Sequence, residues 1–176
     1  MGLHRVEGRG LELTTMLPVA VMGPIMGHQV SGANHVVERM LAGELRAVPN
    51  LFFPIVDVRD VAAAHIAAMS NPRAAGERFL LSNGPAIAMR DITATLKAEL
   101  GADAARVSTR TVPDLVMRLV GLFQPNVRAI VPDLGRAKKT SNDKARRILG
   151  WFPNDAHAAI LAAGRSMVAR GLTTLG

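Results

Sequence analysis

Two carboxylates three residues apart, Asp57 and Asp60, stand in the stretch Pro54-Ile55-Val56-Asp57-Val58-Arg59-Asp60-Val61-Ala62-Ala63-Ala64-His65. Paired carboxyl groups in unlike surroundings can divide the roles of acid and base. The same two residues fit a structural role, and that reading is favoured. The β-branched run Ile55, Val56, Val58 predicts a strand, and the alanine-rich run after it predicts a helix, which Asn71-Pro72 stops. Asp60 then stands at the N-cap, where its carboxylate accepts from the free amides of the first turn, and Asp57 anchors the turn. His65 falls on or near the apolar face of that helix and reads as a hydrogen-bonded core residue. The other histidines, His4, His28, His35 and His157, lack metal-ligand spacing. Ser31 with His35 lacks the third partner that orients a base toward a nucleophile. There are no cysteines, which removes disulfides, thiolate metal sites and cysteine nucleophiles.

The elements that must position these residues alternate between strand and helix. Residues 3–8 read as the last turn of a helix, broken at Gly8-Arg9-Gly10. Residues 11–17 predict a strand, although Glu12 and the threonines fit poorly at the centre of a parallel sheet. Two prolines and a glycine make Pro18-Val19-Ala20-Val21-Met22-Gly23-Pro24 a rigid extended segment ending in a turn. A helix is expected over 33–41, with Val36, Val37, Met40 and Leu41 on one face. A strand follows over 77–82, then a helix over 91–100 stopped by Gly101. Alternation over 106–112 predicts a further short strand. Pro113-Asp114 opens a helix that is apolar at Leu115, Val116, Leu119, Val120 and Leu122. Residues 126–134 read as helical and broken by Pro132. Ser141 is the expected N-cap of a helix over 144–149, and the last helix is expected over 155–170. This order indicates the α/β class. Two or three short strands do not make a self-sufficient doubly wound sheet, so most of the sheet is expected elsewhere.

Composition narrows the classes further. At 176 residues, 49% hydrophobic and 20% charged, the chain can bury one sizeable core. No apolar run reaches the ~18 residues of a membrane span, and no signal-peptide pattern opens the chain. A cytoplasmic protein that binds no membrane is the expectation. The net charge of +7 allows a polyanionic partner. The basic residues are scattered, apart from Arg136-Ala137-Lys138-Lys139 and Lys144-Ala145-Arg146-Arg147, and aromatics are 3%. Stacking platforms for single strands are nearly absent, so no nucleic-acid partner is expected. The one tight glycine pair, Gly8-Arg9-Gly10, precedes a strand instead of following one, and so it is not a dinucleotide cradle.

Three segments carry a resemblance. Val56-Asp57-Val58-Arg59-Asp60-Val61-Ala62-Ala63-Ala64-His65, followed by Gly76-Glu77-Arg78-Phe79, resembles the middle of the extended short-chain dehydrogenase/reductases, nearest the dihydroflavonol-reductase-like group. Leu17-Pro18-Val19-Ala20-Val21-Met22-Gly23-Pro24 resembles the Asn-Pro-x-x-Val-x-Gly-Pro of that family, with Leu17 in place of the asparagine. Ser141-Asn142-Asp143-Lys144-Ala145-Arg146-Arg147-Ile148-Leu149-Gly150-Trp151-Phe152-Pro153 resembles its near-terminal Ser-x-x-Lys-Ala-x-x-x-Leu-Gly-Trp-x-Pro. In the last segment the role is structural, with Trp151 packed on the final helix. Together the segments match only the second half of the family's pattern.

The resemblance implies the C-terminal part of a Rossmann-type NAD(P)-binding fold plus a mostly helical substrate-binding lobe. Residues 1–24 and 77–84 would hold sheet strands, and 25–76 and 85–176 would form mainly the lobe. It implies a reductase of a carbonyl substrate, aldehyde or ketone, using NADP or NAD only together with the N-terminal half. The backbone of Pro18, Val19 and Val21 would meet the carboxamide end of the nicotinamide, with Ser31 near the cofactor; a purely structural turn explains that segment equally well. Met22, Ile25, Met26, Phe53 and Val56 would line the substrate pocket. The family's proton donor is a tyrosine whose pKa a lysine four residues later lowers. This chain has no tyrosine, so the isolated chain is expected to be inactive. Three readings follow: a truncated reductase or one half of a split enzyme that needs a partner chain, a non-catalytic binding or scaffold protein built from the substrate lobe, and a basic nucleic-acid binder, in that order.

Overall fold

One extended segment organises the structure, a computed structural model that describes residues 12–173. The segment comprises β1 (Thr15–Pro18) and β2 (Ala20–Met22). β1 pairs in parallel with β5 (Arg78–Leu81), and β2 pairs in parallel with β4 (Ile55–Asp57). Val19 donates to the Leu81 carbonyl at 3.1 Å and Ala20 to that of Pro54 at 3.1 Å. Amides of consecutive residues normally point to opposite sides of a strand, so the chain bulges here and passes from one neighbour to the next. Asn83 donates to the Ile55 carbonyl at 2.9 Å, which carries the continuation of β5 outside β4. Both neighbours therefore lie on one side of the segment, and its other edge meets no strand among the described residues.

The remaining elements cover parts of this sheet. They are α1 (Asn34–Leu41), the short antiparallel pair β3 (Phe52–Phe53) and β6 (Ile87–Ala88), α2 (Val58–Met69), α3 (Met89–Leu100), α4 (Asp114–Phe123), α5 (Pro125–Ile130), α6 (Asp143–Leu149) and α7 (Ala156–Ala169). Apolar side chains sort into two cores. The first joins Met22 and Ile55 to α1, α3 and α7 through Val37, Met40, Leu41, Ile92, Leu96, Ile160 and Met167. The second joins Val56, Phe79 and Leu81 to α2, α6 and Trp151. The β2–β4 pair is thus covered on both faces. The β1–β5 pair is covered on one, because Leu17 and Leu80 on its other face belong to neither core. Among the described residues no helix is long and apolar enough to cross a membrane.

Several expectations change. The first strand begins at Thr15, later than expected, and the readings on residues 3–10 lie outside the described residues. Residues 106–112 form only an isolated bridge, Val48 to Thr111, because no strand runs beside them to complete a ladder. Trp151 packs in the second core and donates from Nε1 to the Asp60 carbonyl at 2.8 Å, whereas the last helix belongs to the first core. Asn142 is the cap residue of α6; Ser141 Oγ still accepts from the Asp143 amide at 3.2 Å.

Candidate functional site

The carboxyl end of parallel strands is where open α/β sheets place ligands, and the chemistry-bearing residues concentrate at that end of β2 and β4. Asp57 closes β4 and is fully buried. It is the N-cap of α2, since its Oδ1 accepts from the Arg59 amide at 2.8 Å. The expected roles of the two aspartates are therefore exchanged. The strand ends one residue before Val58, so the helix starts earlier and the cap falls on Asp57. Arg59 also donates from Nε at 3.0 Å and from Nη2 at 2.6 Å to the same carboxylate. Burial alone would raise the Asp57 pKa, but the hydrogen bonds and charge of Arg59 outweigh it and hold the carboxyl below its ordinary value of 3.8. Asp60 lies within the first turn, where its carboxylate accepts from the Asn154 amide at 2.8 Å and from Asn154 Nδ2 at 2.6 Å. With both carboxylates committed to backbone or to an ion pair, neither is poised as a general acid or base. His65 is exposed, with Nδ1 at 2.7 Å from the Val61 carbonyl oxygen, so it is hydrogen-bonded but not a core residue. His35 is paired with Glu38 at 2.7 Å and has no link to Ser31.

Beside the Asp57 cap the chain turns at Gly23, whose φ of +145° lies in the region that favours glycine. A Cβ there would come within 2.8 Å of Val58 Cγ1. The buried Asn34 side chain grips this turn at both ends. Its Nδ2 donates to the Gly23 carbonyl at 3.1 Å, and its Oδ1 accepts from the Gly23 amide at 3.3 Å. Two residues on, the Ile25 amide donates to Ser166 Oγ of α7 at 2.8 Å. So fixed, the turn forms one wall of a cavity of about 290 Å³ that Val21, Met22, Ile25, Met26, Ser31 and Val58 help to line. Met22 is fully buried, while Met26 is 88% exposed.

Of the residues expected at a site, Val21, Met22, Ile25, Met26 and Ser31 surround this cavity. Pro18 is an exposed strand end. Val19 packs against the second core and Phe53, on β3, against the first. Val56 is fully buried in the second core. None of these four lines the cavity. Asn34 and Ser166 went unread in the sequence, and Val58 was read there only as a strand residue. Asn34 leaves a trace there, as an amide on an otherwise apolar helix face, but Ser166 lies 141 positions from the amide it holds and has no local signature.

Known proteins give this geometry its setting. No family model matches the chain. It is 40% identical over 72 residues to cinnamoyl-CoA reductase 1 of Oryza sativa, covering 41% of this chain and 21% of that protein. A ketoreductase of Aspergillus niger is 27% identical over 168 residues, 89% of this chain and 44% of that protein. Yeast methylglyoxal/isovaleraldehyde reductase Gre2, solved with NADPH, superposes with a TM-score of 0.66 at 21% identity, over 91% of this chain and 48% of that one. Over the matched segments the chain resembles the extended short-chain dehydrogenase/reductases. Its α/β fold is of the Rossmann type that these reductases and the epimerases share. The chain spans about half the length of the solved structures it matches and less of the curated relatives.

Proposed function

We propose that this chain forms the substrate-facing part of an NAD(P)H-dependent reductase of apolar aldehydes or ketones. The observation that carries the reading is the cavity at the carboxyl end of β2 and β4, lined by apolar side chains together with Gln29 and Ser31, with its wall fixed by Asn34 and Ser166. The identity to cinnamoyl-CoA reductase 1 and the ketoreductase, enzymes whose names place them among reductases, supports it.

The residues present fit one end of a nicotinamide cofactor. Amides of Ala20 and the strand pairing with β4 turn Val21's backbone toward the open edge, where a carboxamide can exchange hydrogen bonds. The cavity of about 290 Å³ suits a ring and a small carbonyl compound but not a whole dinucleotide. No glycine-rich turn of the phosphate-binding kind occurs in the sequence. When bound, the cofactor supplies the hydride. Val21, Ile25 and Met26 contact the apolar part of the substrate, on a wall that the buried Met22 backs. Asn34 and Ser166 hold the wall at one distance. With no tyrosine here, the carbonyl oxygen receives its proton from a group outside these 176 residues, as do the cofactor's phosphates their cradle. The isolated chain is therefore inactive.

The test joins this chain, in one polypeptide, to the portion of the Aspergillus niger ketoreductase that it does not match. Turnover is read as loss of NADPH absorbance with a panel of apolar aldehydes and ketones. The fusion is expected to reduce at least one, and the isolated chain none above a heat-killed control. A folded fusion that binds NADPH and reduces none, or turnover by the isolated chain, overturns the proposal.

A further inference from the structure

One apolar helix face belongs to neither core. Successive residues of α4 turn by about 100°, which places Leu115, Val116, Leu119, Leu122 and Phe123 within an arc of about 120°, the width of a face that ordinarily packs. All five are between 44% and 84% exposed. The other side of the helix is already used. Gly121 is buried there against Val131 and Arg128, and Arg128 closes the hairpin of α4 with α5. The ridge therefore points away from the hairpin's own contacts. Charges near it have one prevailing sign. Residues 113–139 hold five cations, Arg118, Arg128, Arg136, Lys138 and Lys139, against two carboxylates, Asp114 and Asp133. Arg118 is exposed and stands just outside the apolar arc. A Cβ on Gly135 would lie 3.6 Å from Asp114 Oδ2, so the chain passes the start of α4 again just before Arg136. Lys138 pairs with Asp133 at 3.1 Å, whereas the side chains of Arg118, Arg136 and Lys139 meet no carboxylate among the described residues.

We propose that the α4–α5 hairpin docks this protein on the surface of an anionic membrane. The ridge enters the boundary between headgroups and acyl chains, and Arg118, Arg136 and Lys139 meet lipid phosphates. This goes beyond the reductase reading and does not depend on it. A broad apolar face bordered by cations is the pattern of a helix that lies in the plane of a bilayer surface. Charge complementarity decides the occupant. A second copy would meet the ridge through the same patch and set Arg118 and its neighbours against their own kind, which like charge penalises. An anionic leaflet answers both parts at once, since acyl chains accept the apolar side chains and phosphates accept the cations. Long arginine and lysine stems let the charges stay at the headgroups while the ridge sinks. At about 15 Å, α4 is half the ~30 Å hydrocarbon thickness, so it lies on the membrane and does not cross it. The expectation of no membrane contact rested on the absence of a spanning run, which does not bear on a helix lying flat.

The test mixes the 176-residue chain with phosphatidylcholine vesicles that contain or lack phosphatidylglycerol. Salt is held at about 0.1 M, where charges act over about 10 Å, and the bound fraction is read by flotation. The chain is expected to float with the anionic vesicles and to bind the neutral ones about tenfold more weakly. Leu119→Ser with Phe123→Ser removes apolar area from the ridge and should lower affinity for anionic vesicles about tenfold or more. Arg118→Gln with Lys139→Gln should do the same, because each cation near an anionic surface is worth roughly fivefold, and should leave binding to neutral vesicles unchanged. All four sites are exposed, so Tm should not move. Ile66→Ser with Met69→Ser, as exposed but on α2, should bind like the parent. No flotation with anionic vesicles, equal flotation with neutral ones, undiminished binding by either of the first two variants, or an equal loss in the α2 variant overturns the proposal. A dimer that Leu119→Ser with Phe123→Ser splits into monomers assigns the ridge to a second copy and also overturns it.

Discussion

Asp57 is a buried charge that two different devices keep ionised, and they can be separated by substitution. Asp57 Oδ1 caps the helix by accepting from the Arg59 amide, and the Arg59 guanidinium, more than half exposed, donates to both oxygens. Arg59→Gln removes the second device and leaves the first. Stability at neutral pH should fall by about 1–3 kcal/mol, the cost of leaving a buried group short of partners, read as a lower urea midpoint with unchanged slope. The pH dependence follows with a definite sign. A carboxyl held below 3.8 gives stability that is complete at neutral pH and is lost as pH falls through the folded-state value. Without the guanidinium, burial dominates and raises that value, so acid unfolding of the variant should begin at higher pH than that of the parent. Identical acid profiles would show that the cap alone sustains the charge. Gly23→Ala probes the neighbouring turn. It places a Cβ 2.8 Å from Val58 Cγ1 at a φ of +145°, and should cost about 1–3 kcal/mol, visible as a drop in Tm.

At the scale of elements, two contacts staple the turn between α6 and α7 to the first turn of α2. Trp151 donates to the Asp60 carbonyl, and the Asp60 carboxylate accepts twice from Asn154. Asp60→Ala removes two hydrogen bonds to the exposed Asn154, and Trp151→Phe removes the indole donor and part of a buried ring; each should cost about 0.5–1.5 kcal/mol. Because both act on the same turn, the double variant should cost less than the two losses added, and a double-mutant cycle by urea unfolding checks this. Packing of α7 on α3 is set by Gly164, where a Cβ would lie 2.9 Å from Leu96 and from Leu100. Gly164→Val should therefore lower stability by about 1–3 kcal/mol through overpacking. These junctions also show what the sequence could disclose. The strand-to-helix transition at 55–69 was legible from β-branching and alanine content. Which of two aspartates caps it was not, because the answer depends on where β4 stops pairing with β2. Trp151 in a dense motif announced a packed element, but its partner was set by a hydrogen bond to Asp60, 91 positions away. The cavity residues Val21 to Met26 lie in one short segment and could be read together. The grip of Asn34 and Ser166 on that segment forms only in three dimensions.

For the molecule as a whole, apolar periodicity reports that a helix has a face without reporting what the face meets. Residues 115, 116, 119, 122 and 123 fall on one side of α4 with helical spacing, and all five are exposed, Phe123 at 84%. Of α4 and α5 only Gly121 is buried, and it lies against Val131 and Arg128 of the same hairpin. Arg128 closes the hairpin on itself by donating to the Gly121 and Leu122 carbonyls at 2.9 and 2.6 Å, where it also complements the helix dipole. Neither core includes a residue of this hairpin. Its stability is therefore local, whereas α3 and α7 share the first core and open only with it. Amides of residues 117–130 should exchange with deuterium at free energies near the low end of the range, and those of residues 93–100 and 160–168 near the global value. Leu119→Lys should leave the global Tm unchanged within the effect of an ordinary surface substitution, about ±0.5 kcal/mol. If the hairpin amides exchange as slowly as those of α3, the hairpin belongs to the cooperative unit, and its apolar ridge must then be covered in solution by a further copy or a partner.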